Sequence, residues 1–163
     1  MNLHRYTADM IRISISQQVL YHRNLAGVWQ AYPISTAAKG TGNRQGSWQT
    51  PLGKHQIAEK IGDNMPIFTF FKGRIPQGIY QDGIDNPHDD WILSRILWLS
   101  GMQTGVNKRG SVDTKSRYIY IHGTHDEDHI GSPASHGCIR MKNTDVIHLF
   151  DRCRIGESVL ITA

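Results

Sequence analysis

Ile11, Ile13 and Ile15 alternate with Arg12, Ser14 and Ser16, a period of two that turns one face of an extended segment toward a core and leaves the other to water. A chain that opens this way is committed to a sheet. Val19 to Tyr21 continues as a second strand, Asn24 to Gly27 supplies a turn, and Val28 to Ile34 reads as a third, so the opening is a β meander. Arg117 to His122 repeats the alternation, with Tyr118, Tyr120 and His122 on one face, Ile119 and Ile121 on the other, and His122 at its end. Val159 to Ile161 forms a last strand. Two short helices are expected between these strands. From Asp89 to Ser100, Trp91, Ile92, Ile96 and Leu99 recur at helical spacing behind acidic residues, with Gly101 beyond them. Asn143 can cap a second helix, in which Val146, Leu149, Phe150 and Cys153 share a face before Gly156 stops it. A length of 163 residues suits one domain covering 1–163. An apolar content of 39% with 20% charged residues excludes a disordered chain. The longest apolar runs, such as Ile96 to Leu99, are four residues, against the roughly 18 that a bilayer span needs. The expectation is a mainly β domain with two short helices and no membrane partner.

Eighteen Lys and Arg against 14 Asp and Glu give a net charge of +4, which admits an anionic partner without identifying one. The basic residues Arg44, Lys54, Lys72, Arg95, Arg117 and Arg140 are scattered, with no basic run and no aromatic repeat to stack bases, so no nucleic-acid partner is expected. Gly40, Gly42, Gly46 and Gly53 raise the question of a phosphate loop. Gly53-Lys54 is followed by His55 where a Walker loop needs Ser or Thr, and the spacing misses the dinucleotide fingerprint. These glycines read as a plain loop, and no cofactor is expected. Two cysteines suit a reducing compartment, and the polar opening from Met1 to Asp9 lacks the apolar segment of a secretory signal. A cytoplasmic location is expected, with a periplasmic one as the alternative if a signal has been removed.

Four of the nine histidines lie between His122 and His136, and Cys138 follows in Ser135-His136-Gly137-Cys138-Ile139-Arg140. A cysteine becomes a nucleophile beside a base or a positive field, and a Gly-Cys turn can expose sulfur while aiming N–H groups at an oxyanion. Cysteine-histidine acyl transfer is the first reading. A metal site competes with it, because His122, His125, Asp126, Asp128, His129, His136 and Cys138 are all acceptable zinc ligands. Neither a His-Glu-x-x-His helix nor paired Cys-x-x-Cys motifs occur, however, so no metal is assigned. Cys153 reads as core. His4, His22, His55, His88 and His148 have no partner visible in the sequence and read as surface or capping residues.

Ile121-His122-Gly123-Thr124 followed, after twelve residues between His122 and Ser135, by Ser135-His136-Gly137-Cys138-Ile139-Arg140-Met141 resembles the signature of the L,D-transpeptidase family, the YkuD-type catalytic domain. Gln49-Thr50-Pro51-Leu52-Gly53 is similar to that family's Thr-Pro-x-Gly segment. The resemblance runs from about Met10 to the C-terminus. It implies a β-sandwich-like fold of mixed sheets and an enzyme that cleaves the bond between the L-centre of a diamino acid and D-alanine in peptidoglycan tetrapeptides. It makes Cys138 the nucleophile and His122 the general base, with the Gly123 carbonyl orienting the imidazole. The N–H groups of Gly137 and Cys138 become the oxyanion donors, and Ser135 and His136 shape the turn. Arg140 stands where many members carry Asn and is expected to hold a substrate carboxylate.

Residues 64–116 look like an insertion that forms a lid, and within it Arg95, Trp98 and Asn107 are expected to touch substrate. A thioester on Cys138 can pass to an amine or to water. The cytoplasmic expectation favours water, hence an L,D-carboxypeptidase of cell-wall recycling over a periplasmic L,D-transpeptidase that forms cross-links. A metal-dependent hydrolase and a non-catalytic wall-peptide module remain further from the motif.

Overall fold

The two isoleucines that open the alternation, Ile11 and Ile13, are buried while Arg12 between them is exposed. They belong to β1 (Ile11–Ser14), which is followed by β2 (Val19–Arg23) and β3 (Trp29–Ser35) in the expected meander. The computed structural model describes residues 10–163. The expectations for His4 and for the polar opening segment lie outside those residues. β4 (Gly53–Ile61), β5 (Thr69–Lys72), β6 (Ile75–Ile79), β7 (Leu93–Gly101), β8 (Tyr120–Gly123), β9 (Ile139–Met141), α1 (Asn143–Arg152) and β10 (Ser158–Thr162) complete the order.

The strands lie in the order β4-β10-β1-β2-β3-β9-β8-β7, and β7 then pairs back onto β4, so the sheet closes into a barrel-like sandwich. Closure removes the exposed edges that an open sheet would carry. β1 with β10 and β8 with β9 are parallel, and the other pairs are antiparallel, which makes the sheet mixed. Inside lie Ile11, Ile13, Leu20, Ile34, Ile57, Leu97, Leu99, Ile121, Ile139 and Met141. Val146, Leu149 and Phe150 of α1 and then Cys153 complete this cluster, so Cys153 is a core residue.

The segment expected as a helix from Asp89 to Ser100 is instead strand β7, and the described residues contain one α-helix with single 3-10 turns at Gly110–Val112 and Glu127–His129. β7 lies between β4 and β8 and is covered on both faces: Leu97 and Leu99 enter the main core, while Ile96 and Trp98 join a second cluster with Phe71 and Tyr120. A strand buried on both sides reads as a nearly continuous apolar run, in which helical spacing arises by coincidence. β7 therefore makes part of the 64–116 stretch a ring strand and not a lid. What stands outside the ring is the β5–β6 hairpin, attached to β7 through the pair Phe70 and Leu93.

α1 begins as expected, but Asn143 is not its cap. Lys142 holds the cap position without a side-chain bond, and the Asn143 N–H donates to Glu127 Oε1 at 2.8 Å. A carboxylate at that end satisfies a free donor and meets the positive pole of the helix.

Candidate active site

Two parallel strands place the motif residues. Ile121 pairs with Ile139, His122 with Arg140 and Gly123 with Met141. Because side chains alternate along a strand, Ile121, Ile139 and Met141 point into the core while Tyr120, His122 and Arg140 share the other face. Cys138, two residues before Arg140, joins them, and its side chain packs against the cluster of Phe71, Ile96 and Tyr120. The Tyr120 N–H donates to Cys138 Sγ at 3.3 Å, and the thiol donates to the Tyr118 carbonyl at 3.4 Å.

Two hydroxyl side chains hold the turn that carries the thiol. Ser135 Oγ donates to the Cys138 carbonyl at 2.6 Å and accepts the Gly137 N–H at 3.2 Å. Thr50 Oγ1 donates to the Gly137 carbonyl at 2.9 Å and accepts the Ala37 N–H at 3.0 Å. The Thr-Pro segment thus buttresses this turn. Gly137 has φ +135°, a conformation that side chains rarely adopt, while a Cβ there would only touch the Gln49 carbonyl and Ile119 Cδ1 at 3.4 Å, so it is the backbone and not the space that favours glycine.

His122 is buried, and its Nδ1 lies 2.6 Å from the Gly123 carbonyl oxygen. A carbonyl only accepts, so Nδ1 carries the proton and Nε2 keeps its lone pair. Gly123 can only be glycine, because a Cβ would run into Asn143 Oδ1 and the Leu93 carbonyl. Burial lowers the His122 pKa, with Arg140 and His125 acting in the same direction against Asp90 and the Gly123 bond. Burial likewise pushes the Cys138 thiol up to about 12, against the Tyr120 N–H and the cations Arg140 and Arg117. Both shifts favour the uncharged forms of the thiol and the imidazole, which adjacent elements carry on one face of the sheet.

Sequence reasoning missed three supports of this face. Asp90, just ahead of β7, accepts from Arg140 Nη2 at 2.7 Å and lies 3.4 Å from His136 Nδ1. Burial alone would raise its pKa, but His122, Arg140 and His136 hold it below the usual carboxylate range. Asn143 accepts from Ser94 Oγ at 2.6 Å and donates to the Thr124 carbonyl at 2.7 Å, walling off Gly123. Ser94 carries no sequence signal and Asn143 reads only as a helix cap, whereas the pair Asp89-Asp90 ahead of an apolar run could have drawn attention to Asp90.

The expected substrate contacts divide. Trp98 reaches the site: its ring stacks on Tyr118 at 5.8 Å and meets Tyr120 edge-on at 5.7 Å. Arg140 is close as well, but its charge is engaged by Asp90 and it is only 6% exposed. Arg95 and Asn107 are elsewhere. Arg95 donates to the Met65 and Ser94 carbonyls at 2.8 and 2.6 Å and lies over Phe150, on the opposite side of β7 from the cluster that holds Cys138. Asn107 is buried and donates to the Leu52 and Lys54 carbonyls at 3.1 and 3.0 Å, which ties its loop to β4. His136 is exposed and meets Trp48 edge-on at 5.6 Å. The two border a cleft of about 310 Å³ whose lining includes Arg117 and Tyr118. Among the described residues, no three His, Cys, Asp or Glu side chains converge as metal ligands.

This architecture has relatives of known structure. An L,D-transpeptidase from Mycobacterium smegmatis superposes with TM-score 0.54 at 15% identity, over 96% of this chain and 60% of that one. L,D-transpeptidase 3 from Mycobacterium tuberculosis, solved with a faropenem-derived adduct, gives TM-score 0.58 at 16% identity over 96% and 61%. At these identities the likeness is one of fold, and the chain spans about 60% of the length of either structure. The L,D-transpeptidase-type protein YqjB of Bacillus subtilis (strain 168) is 49% identical over 49 residues, which is 30% of this chain and 28% of that protein. The family model described as the YkuD L,D-transpeptidase catalytic domain matches residues 8–161. With a match over nearly the whole length and the same fold in solved members, the chain belongs to the YkuD family of L,D-transpeptidase catalytic domains.

Proposed function

We propose that the protein cleaves the bond between the diamino acid and D-alanine in peptidoglycan tetrapeptides, with Cys138 as nucleophile, His122 as general base and water as final acceptor. The observation that carries this reading is the bond from His122 Nδ1 to the Gly123 carbonyl. It fixes the tautomer whose Nε2 can accept a proton, on the strand beside the thiol-bearing turn. Sγ attacks the carbonyl carbon as its proton passes to His122 Nε2. The tetrahedral intermediate then expels the D-alanine amine, which takes that proton, and leaves a thioester. Water attacks the thioester with His122 again as base and releases the tripeptide acid. The Gly137 N–H is engaged by Ser135, so the oxyanion falls first to the Cys138 N–H.

Two features support hydrolysis as the outcome. Phe71 of the hairpin packs into the cluster against Cys138, and the loop bearing Asp90 closes onto Arg140 and His136. The approach bordered by Trp48, Tyr118 and His136 suits one peptide strand. The cytoplasm, with its returning wall peptides, is the compartment that fits this reading and the two unpaired cysteines. A second reading, the cross-linking transpeptidase of the periplasm, draws on a cleft of about 380 Å³ past the end of β8, lined by Asp82, Glu127, Asp128 and His125. Its acidic wall would suit an amine acceptor. Mass spectrometry of a tetrapeptide incubation with excess amine acceptor decides: tripeptide and free D-alanine as dominant products are expected. Cross-linked or exchanged peptide, or native full-length protein recovered from the periplasm, would end the carboxypeptidase reading.

The uncharged thiol and imidazole carry their own pH signature. With the thiol pKa raised, alkylation of Cys138 in the free enzyme should be slower at neutral pH than that of an ordinary cysteine and should climb toward alkaline pH. With the His122 pKa lowered, the base stays unprotonated below the ordinary imidazole value of about 6.5, so the acid limb of kcat/KM should fall below that value. An alkylation rate that is already high and flat below neutrality would show a resting thiolate-imidazolium pair instead.

A further inference from the structure

We infer that Arg74, on the turn of the β5–β6 hairpin, reads a carboxylate of the substrate peptide; this rests on the tetrapeptide reading above. The cations of this face are not equivalent, and Lys115, whose Nζ lies 5.0 Å from the Trp98 ring centroid, offers a point charge and no planar fork. Arg140 is engaged by Asp90 at 2.7 Å. Arg117 spends its donors on the Gly42 carbonyl, Ser47 Oγ and the Gln49 carbonyl at 3.1, 3.3 and 2.6 Å, stapling the loop that carries Trp48. Arg74 has no carboxylate within 4.0 Å among the described residues and uses one N–H, from Nη1 to Tyr120 Oη at 3.0 Å. A guanidinium has five such donors in a planar fork that matches a carboxylate.

Its place is set by the aromatic wall of the site. The guanidinium carbon lies 4.5 Å from the Trp98 ring centroid and 5.6 Å from that of Tyr118. The Tyr120 that receives its hydrogen bond also gives its backbone N–H to Cys138 Sγ. One tyrosine side chain therefore separates the free face of the cation from the nucleophile. Gly73 and Arg74 form a two-residue turn with φ +54° and +65°. The second value is one that a side chain rarely adopts, and it turns Arg74 back over the ring. Arg74 is a specificity residue carried on the segment outside the ring, and Tyr120 and Trp98 hold it ready.

The carboxylate could be the terminal one or one on the diamino acid side, and binding experiments separate them. Calorimetry on the full chain carrying Cys138→Ala, which binds without turnover, would use three tetrapeptides: the free acid, its C-terminal amide and its diamino acid side-chain amide. The free acid should bind about 10-fold or more tightly than one of the amides, and that amide names the carboxylate. Adding Arg74→Gln should erase that margin and Arg74→Lys should restore part of it, with melting temperatures of the variants confirming that each is folded. An undiminished margin in the Arg74→Gln protein, or no margin in its parent, overturns the assignment while leaving the tetrapeptide reading intact. No binding of the free acid by the Cys138→Ala protein removes both.

Discussion

Replacing Cys138 with alanine is expected to lower tetrapeptide turnover by on the order of 10⁴-fold or more, because a covalent route loses its bond-forming atom and keeps only binding and oxyanion contacts. The fold should survive. The turn is held by the hydroxyls of Ser135 and Thr50, which bond the Cys138 and Gly137 carbonyls and the Gly137 N–H and do not use the sulfur. Cys153→Ala provides the contrast, since Cys153 is 3% exposed in the main core and should cost stability without touching the rate. A steady-state assay on both variants, with an alkylating agent and a chelator in parallel, checks this. Near wild-type activity in Cys138→Ala, or inactivation by the chelator alone, would put the metal hydrolase ahead of the cysteine reading.

His122→Ala should cost roughly 10² to 10⁴ in rate, the range for loss of general-base assistance. His136→Ala should cost far less, since His136 is exposed and reaches Asp90 only at 3.4 Å. Burial sharpens the difference. A buried imidazole pinned at Nδ1 offers one tautomer and one orientation, whereas an exposed ring samples several. Measured kcat for the two variants, with circular dichroism to confirm their folding, checks the assignment. Activity retained in His122→Ala and lost in His136→Ala would reverse the roles of the two histidines.

What the sequence made legible follows from the length scale of each signal. The alternation at Ile11 to Ser14 and the helical face of Val146, Leu149 and Phe150 are local patterns imposed by one face of burial, and each formed the element it announced, whereas of Arg117 to His122 only Tyr120 to His122 is strand, because Arg117 and Tyr118 lie in a turn with Tyr118 at φ +56°. β7 was misread because burial on both faces erases the period of two. The two halves of the motif lie close together because β8, which carries His122 and Gly123, pairs with β9, into which the turn from Ser135 to Cys138 leads. Arg95 and Asn107 were misplaced for the complementary reason. Their apparent nearness came from sequence position, and the strand direction of β7 carries Arg95 to the opposite side from Ile96. Asp90, Asn143 and Arg74 reach the same face from three separate elements, and no local pattern could join them. Arg74 in particular sits in a two-residue turn where sequence alone favours Asn or Gly.

The closure of the ring has a consequence for how the chain acquires this site. β10 lies between β1 and β4, and its partner Ile11 belongs to the first strand while Val159 belongs to the last. No subset of earlier strands can seal the barrel, since β1 and β4 both stay open along one side until β10 arrives. Pairing residues so distant in the chain must be reached before most of its reward is collected, which makes folding slow relative to chains dominated by local contacts. During that interval two unpaired edges face solvent, and they are templates for sticking to another copy. The domain's most vulnerable state is therefore one in which β8 and β9 are already paired and the seam between β1 and β4 is still open.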